Sequence, residues 1–439
     1  LSQDPIGIGL IGCGTVGQGV VRLLDQHAPI YAQRVGRSID IRRVLVRDAS
    51  VARDVPLSRE VFTTDPEALF GDDQISVVVE VAGGVDPMAD HVHRALASGR
   101  HVVTANKALL AARGGELYAQ ARSNDLCIAF EASCGGGIPI LAALKFGLSA
   151  NRIESVCGVL NGTCNYILTE MTEFGTTYAD ALADAQRLGF AEADPALDVS
   201  GADAAQKLAI IASLAFGVSV HEADVSYSGI DRLELDDIAY GAELGYQLKL
   251  LAIGAQHPDG LELDVAPCFI AEDHLLSHVR GTFNALSVQG SAVGPTLFYG
   301  HGAGQMPTAS AVVSDLLNVV GGWYPHAFAS MRIWPDQHQP TRLTAADDLT
   351  SRYYLRIHAR DEPGVMAAVA SVLGDREISI SAMVQHEAGQ RAVPDVVPVV
   401  ITTHLARRGA IREAVARIAG LESVVEPPVC IRIVDLPEG

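Results

Sequence analysis

The chain of 439 residues is short of positive charge, of aromatic rings and of long apolar runs. Its 32 Lys and Arg stand against 52 Asp and Glu, a formal net charge of −20. Such a surface argues against nucleic acid and anionic membrane as partners, leaves room only for a local basic pocket, and favours small molecules. No stretch of about 18 apolar residues occurs, and the first residues lack a basic segment followed by an apolar run. The seven cysteines are odd in number and scattered, with neither CxxC nor a Cys/His cluster at ligand spacing, which fits reduced thiols. There is no internal repeat and no low-complexity segment. A soluble cytoplasmic protein is expected.

What is present is a globular composition, 49% apolar and 19% charged, on a chain long enough for two or three domains. The first third alternates short apolar runs with helical segments. "IGIGLIG", "IDIRRVLV", "ISVVVEVAGG", "RHVVTANK" and "LCIAFEAS" read as strands of a parallel, doubly wound α/β sheet. Longer amphipathic helices then mix with strands such as "RIESVCGVL" and "LELDVAPCFIA", the α+β pattern of a second domain. Residues 334–351 are polar, carry two prolines and read as an interdomain connection. Beyond them the order βαββαβ predicts a ferredoxin-like module.

"GLIGCGTVGQGV" places Gly12, Gly14 and Gly17 in GxGxxG spacing between a strand and a predicted helix over Thr15 to Gln26. In that context the glycines admit a tight turn, a pyrophosphate and close helix packing, and Thr15 and Val16 open the helix whose N-terminus faces the phosphates. A glycine-rich turn without ligand is the plainer alternative. The second strand ends in Arg47 and Asp48. An acid there binds a ribose hydroxyl and an arginine a 2′-phosphate, so Arg47 predicts NADP(H) preferred, or NADP(H) and NAD(H) both accepted.

The run "LDVSGADAAQKLAIIASLAF", residues 197 to 216, sets Asp203 and Lys207 one helical turn apart on a helix apolar all round. A surface ion pair would contribute only about 0.2–0.5 kcal/mol. A helix so apolar is usually buried, and buried charge needs a partner and a purpose.

After "HVVTANKALL", the segments "FEASCGGGIPI", "VLNGTCNYILTEM", "GFAEADPALDVSGADAAQK" and "YGHGAGQMPTASAVVSDLL" follow in order. Together they resemble homoserine dehydrogenase over residues 5 to about 345, and the tail from Arg352 resembles an ACT amino-acid-sensing domain. The domains implied are 1–132 for the dinucleotide, with a returning segment near 305–325; 133–345 for substrate, catalysis and dimerisation; and 352–435 for regulation. The resemblance implies reversible, NAD(P)H-dependent reduction of L-aspartate 4-semialdehyde to L-homoserine, in threonine, methionine and isoleucine biosynthesis.

By the same resemblance Lys207 and Lys107 are the active-site lysines, and an ammonium beside the carbonyl suits the proton transfer that accompanies hydride addition. Glu192, Asp198 and Asp203 fall on the substrate carboxylates; for the first two, solvated loop acids are the alternative. Gly162 and Thr163 match contacts to the amino-acid end, with Tyr166 lining the pocket, although Thr163 could instead cap its helix. Thr104, Lys107 and Gly304 match cofactor contacts. Glu131, Cys134, Gly136 and Ile138 match a segment whose backbone carbonyls hold a sodium-like cation. Asp361, Pro363 and Gly364 match the ACT ligand loop, or simply build a turn. Feedback inhibition by L-threonine and a homodimer or homotetramer are expected. The rivals are a Cys134-dependent semialdehyde dehydrogenase, which lacks a histidine base at a known spacing, and a non-catalytic nucleotide or amino-acid sensor.

Overall fold

The computed structural model describes residues 4–332, 334–337, 342–385 and 396–436, so residues 338–341 of the polar connection lie outside the described residues. Two compact units are formed. One comprises residues 1–156, 203–225 and 282–341, the other 157–202, 226–281 and 342–439.

The first unit is built on a parallel sheet of β1 (Ile6–Ile11), β2 (Ile39–Leu45), β3 (Phe62–Thr63), β4 (Ile75–Glu80), β5 (His101–Thr104) and β6 (Ile128–Ala129), in the order 3-2-1-4-5-6. Every residue of β1 is buried, and β4 exposes only Ser76, as expected of strands covered on both faces. The strand order reverses between β1 and β4, which places the ligand crevice at their carboxyl ends. Helix Thr15–Gln26 turns Val20, Val21 and Leu24 inward. Helix Gln305–Val320 returns to pack on it: the Gln305 amide donates to the Thr15 carbonyl at 3.0 Å and its oxygen accepts from Arg22 at 3.1 Å.

The second unit carries a long antiparallel hairpin, Tyr246–His257 with Gly260–Ala271. From Thr350 onward the βαββαβ order appears as Thr350–Arg360, Val365–Gly374, Ile380–Gln385, Val396–Thr403, Arg408–Ala419 and Val429–Ile433. The first of these strands lies between the last and the third, with the second outside, the ferredoxin-like arrangement. Val369, Leu373, Ile411 and Ile418 from its helices pack on Leu355, Ile357 and Ile401, a core of its own. Strand Val429–Ile433 also pairs in parallel with Gly260–Ala271, Cys268 opposite Arg432 and Phe269 opposite Ile433.

Buried ion pairs fasten the same joint. Arg356 grips Asp237 with two bonds of 2.7 and 3.0 Å, Tyr354 donates to that carboxylate at 3.2 Å, and Asp237 is fully buried. Arg432 pairs with Glu262, and Arg408 with Asp264 at 3.2 Å. Elsewhere in this unit Lys249, 5% exposed, donates to the Val279 carbonyl and the Asn165 side chain beside a cavity of about 530 Å³. Burial pulls its ammonium down to about 8. Among the described residues no helix is long and apolar enough to cross a membrane.

Candidate active site

The glycine turn follows β1 directly. A Cβ on Gly17 would stand 2.4 Å from the Gly12 carbonyl, so only glycine lets the helix start this close to the strand. A Cβ on Gly14 would meet nothing within 4 Å, leaving open space where a pyrophosphate approaches. Thr15 is exposed, Val16 half-buried, and no side chain caps the helix N-terminus. Its free N–H groups suit an anion.

At the end of β2, Arg47 is exposed, while the Asp48 carboxylate is turned onto Ser50, accepting from its N–H at 2.8 Å and its hydroxyl at 2.7 Å. These bonds hold the Asp48 carboxyl below its ordinary range. Arg53, which the motif gave no reason to single out, donates to the Cys13 carbonyl at 3.3 Å and to the Asp48 carbonyl at 3.0 Å and lies over the Phe62 ring. It brings a guanidinium to the glycine turn.

Glu80, at the carboxyl end of β4 and fully buried, organises the neighbouring turn. Its carboxylate accepts from Ala82 and Gly83 N–H at 2.9 and 3.1 Å and from the Thr104 hydroxyl at 2.6 Å. The Thr104 side chain, 1% exposed, also accepts from Asn106 N–H at 3.0 Å. Asn106 caps the next helix by accepting from Leu109 N–H, which starts that helix at Lys107.

Lys107 reaches Asp203 at 3.1 Å, and Lys207 reaches the other oxygen of the same carboxylate at 2.7 Å. Asp203 and Lys207 are 5% and 9% exposed, within helix Ala202–Phe216, whose Leu208, Ile211 and Ala212 are fully buried. The pair is thus internal, and one carboxylate serves two ammonium groups.

The loop after β6 meets this helix from another side. Cys134 is fully buried and its thiol donates to the Lys207 carbonyl at 3.8 Å. Burial pushes that thiol up to about 12, the reverse of what a nucleophile requires, so the thioester rival is set aside. A Cβ on Gly136 would stand 2.5 Å from the Gly302 carbonyl, and Gly137 N–H donates to the His301 carbonyl at 3.0 Å. The glycine loop therefore lies backbone to backbone against the turn that ends in Gly304, the N-cap of helix Gln305–Val320. The carbonyls of Glu131 and Ile138 accept from Cys134 and Ile140 N–H at 3.3 and 2.8 Å, and each keeps a second lone pair for a cation. Among the described residues no group of His, Cys, Asp and Glu side chains is placed to hold a metal.

In the second unit Asn161, Gly162, Thr163, Tyr166 and Asp198 come together. Asn161 donates to Asp198 at 2.7 Å, and the Thr163 hydroxyl lies 2.7 Å from the Phe190 carbonyl and 3.2 Å from Asp198. The helix cap is Asn161, accepting from Cys164 N–H at 2.8 Å, and not Thr163, which sits in the first turn after Gly162. Asn before an apolar-periodic run was the signal for it. The Tyr166 ring packs against Phe190 at a tilt, with centroids 5.0 Å apart. Glu192 does not join this group: it is exposed, and its main-chain carbonyl accepts from Gln186. In the C-terminal module Asp361, Pro363 and Gly364 form an exposed turn, with Gly364 at φ +95° as N-cap of the following helix.

A 3-2-1-4-5-6 sheet with a glycine turn at its switch point, joined to two lysines on one buried carboxylate, defines a nicotinamide-nucleotide-binding oxidoreductase. Comparison with known proteins narrows the class. The chain matches the homoserine dehydrogenase family model over residues 139–317, the homoserine dehydrogenase NAD-binding domain over 12–131 and the ACT domain over 353–420. It is 41% identical to the homoserine dehydrogenase of Pseudomonas aeruginosa, over 99% of this chain and 100% of that one. The enzyme of Bacillus subtilis is 40% identical over 98% of both. The crystal structure of a homoserine dehydrogenase from Thiobacillus denitrificans superposes with a TM-score of 0.91 at 41% identity, covering 98% of this chain and 99% of that one. The chain belongs to the homoserine dehydrogenase family, and the sensor rival, which needed the lysines to be lost, falls with it.

Proposed function

We propose that the chain interconverts L-aspartate 4-semialdehyde and L-homoserine, with NADP(H) as the preferred nicotinamide. The observation that carries this reading is the Asp203 carboxylate shared by Lys107 and Lys207. Bound at the glycine turn, the nicotinamide supplies or accepts the hydride. Lys207 holds a proton at Nζ for the alkoxide oxygen and takes it back in the reverse direction, while Asp203 keeps the ammonium charged and oriented. Lys107 brings a second positive charge to the same carboxylate.

Arg47 and Arg53 support the choice of NADP(H), because the acid that would bind a ribose hydroxyl is already spent on Ser50. A hyperthermophilic archaeal homoserine dehydrogenase mutant, 25% identical and with a TM-score of 0.60 over 72% of this chain and 98% of that one, has been crystallised with NADPH. Motif resemblance assigns Gly162, Thr163, Tyr166, Asp198 and, from an exposed position, Glu192 to the amino-acid substrate, and the carbonyls of Glu131, Cys134, Gly136 and Ile138 to a sodium-like cation. It also supports L-threonine as a feedback inhibitor at Asp361, Pro363 and Gly364, with a homodimer or homotetramer as the working assembly.

The test is a spectrophotometric assay of purified protein with L-homoserine and either NADP⁺ or NAD⁺, followed by L-threonine. Homoserine-dependent reduction of NADP⁺ is expected, faster than that of NAD⁺. No turnover with either cofactor would defeat the proposal.

A further inference from the structure

Behind the glycine loop of the first unit lies a buried lysine, Lys145, to which neither the motifs nor the reaction assigns a role. Lys145 is 2% exposed, and its ammonium has no hydrogen-bond partner among the described residues. It sits instead over the rings of Phe130, Trp334 and Tyr324, at 4.8, 5.1 and 5.2 Å from their centroids. The quadrupoles of these rings favour a cation, yet they do not replace its hydration. Two buried carboxylates share the field of this ammonium. Glu131 and Asp315 are 4% and 1% exposed; burial raises both carboxyls, Asp315 to about 7, and the positive charge of Lys145 opposes it only in part.

These carboxylates close the neck of the loop. Glu131 accepts from Leu141 and Ala142 N–H at 2.8 and 2.7 Å, so the residue that opens the loop binds the helical turn that ends it. Asp315 accepts from Glu131 N–H at 2.8 Å and from the Tyr324 hydroxyl, which fixes the neck to helix Gln305–Val320. The tip beyond this neck carries the Cys134 contact to the Lys207 carbonyl and the Gly136 and Gly137 contacts to the turn before Gly304. A displaced neck would move both.

We propose that Lys145 is a positioning residue for hydride transfer: seated over the Phe130 and Tyr324 rings that flank the Glu131–Asp315 neck, it sets the loop tip against the Lys207 helix and the turn before Gly304. The inference rests on the reading of Lys207 given above. A shifted neck then acts on the chemical step while the glycine turn of β1, which binds the dinucleotide elsewhere in the unit, is left intact.

The full-length Lys145→Met, Lys145→Arg and Tyr324→Phe variants test this, with kcat and both KM values for homoserine oxidation, NADPH affinity by fluorescence, and melting temperature. Lys145→Met should lower kcat by about tenfold to a hundredfold, the usual effect of a misplacement of about 1 Å, with NADPH affinity within about twofold. Lys145→Arg should restore most of the loss. Tyr324→Phe, which keeps the ring and removes one donor to Asp315, should also lower kcat, and it decides the matter if Lys145→Met does not fold. Wild-type kcat in Tyr324→Phe and in any folded Lys145→Met protein would overturn the proposal while leaving the function standing. So would activity lost only in proportion to NADPH-binding sites. Failure of the wild type to oxidise homoserine would overturn the functional reading and this one with it.

Discussion

Lys107 engages the face of the Asp203 carboxylate that Lys207 leaves open, at 3.1 Å, although the two residues come from different helices of the first unit. A carboxylate so placed can orient both ammonium groups, and its loss should be felt through each. Asp203→Asn keeps the shape and removes the charge. Charged hydrogen bonds are worth about 1.5–3 kcal/mol, so kcat/KM for homoserine should fall by about tenfold to a hundredfold. Steady-state kinetics at fixed NADP⁺ would check it.

Lys207→Ala should be more severe, with kcat down by about 10²–10⁴, the range of a lost general acid or base. NADPH affinity measured by fluorescence should change little, because the glycine turn is untouched.

The Cys134 thiol, pushed up to about 12, would be ionised only to about one part in 10⁴ at pH 8. The native protein should resist iodoacetamide at Cys134 for as long as it stays folded, as peptide mapping would read. Cys134→Ser, which can still donate to the Lys207 carbonyl, should keep homoserine-dependent turnover.

Lys249 gives a pH signature. Its pKa in the fold is about 8 against an ordinary 10.5, so between those values the unfolded chain binds a proton that the folded chain does not. Stability therefore rises with pH across that window, and the burial penalty is fully present below about pH 8. Urea midpoints should climb from pH 8 to 10.5 more steeply in wild type than in Lys249→Met.

Asp237→Ala takes the buried carboxylate from the Arg356 guanidinium, 2% exposed, and leaves it only the exposed Glu234 as an acidic partner, at 3.0 Å. Breaking such a pair costs about 3–5 kcal/mol, whereas replacing both partners by apolar residues is often close to neutral. Calorimetry should show a lowered transition for Asp237→Ala and substantial recovery in Asp237→Leu/Arg356→Met.

The sheet of the first unit was legible because buried parallel strands are written as nearly unbroken apolar runs, and β1 and β4 are of that kind. Asp203 and Lys207 stood out as charges on a helix with no polar side. Lys145 did not. In "ILAALKFGLSA" one lysine among apolar residues reads as the solvated face of an amphipathic helix, and only the fold brings Phe130, Tyr324 and Trp334 around it. Arg53 lies in a loop without periodicity, and its tie to Cys13 spans a register that no local pattern encodes. The first unit takes in residues 203–225 and 282–341, because helix Ala202–Phe216 and the turn before Gly304 pack where the cofactor fold needs them rather than where chain order would leave them.

The parallel pairing of Val429–Ile433 with Gly260–Ala271 has a practical corollary for the ACT module. Cutting the chain before Thr350 would do more than remove the ACT domain. It would uncover the backbone of Cys268 and Phe269 along a raw strand border, together with Glu262 and Asp264 stripped of their arginines. Unpaired borders of this kind recruit other chains. Single substitutions at Asp361 in the intact chain keep that border paired, and so test ligand binding at the ACT turn without self-association.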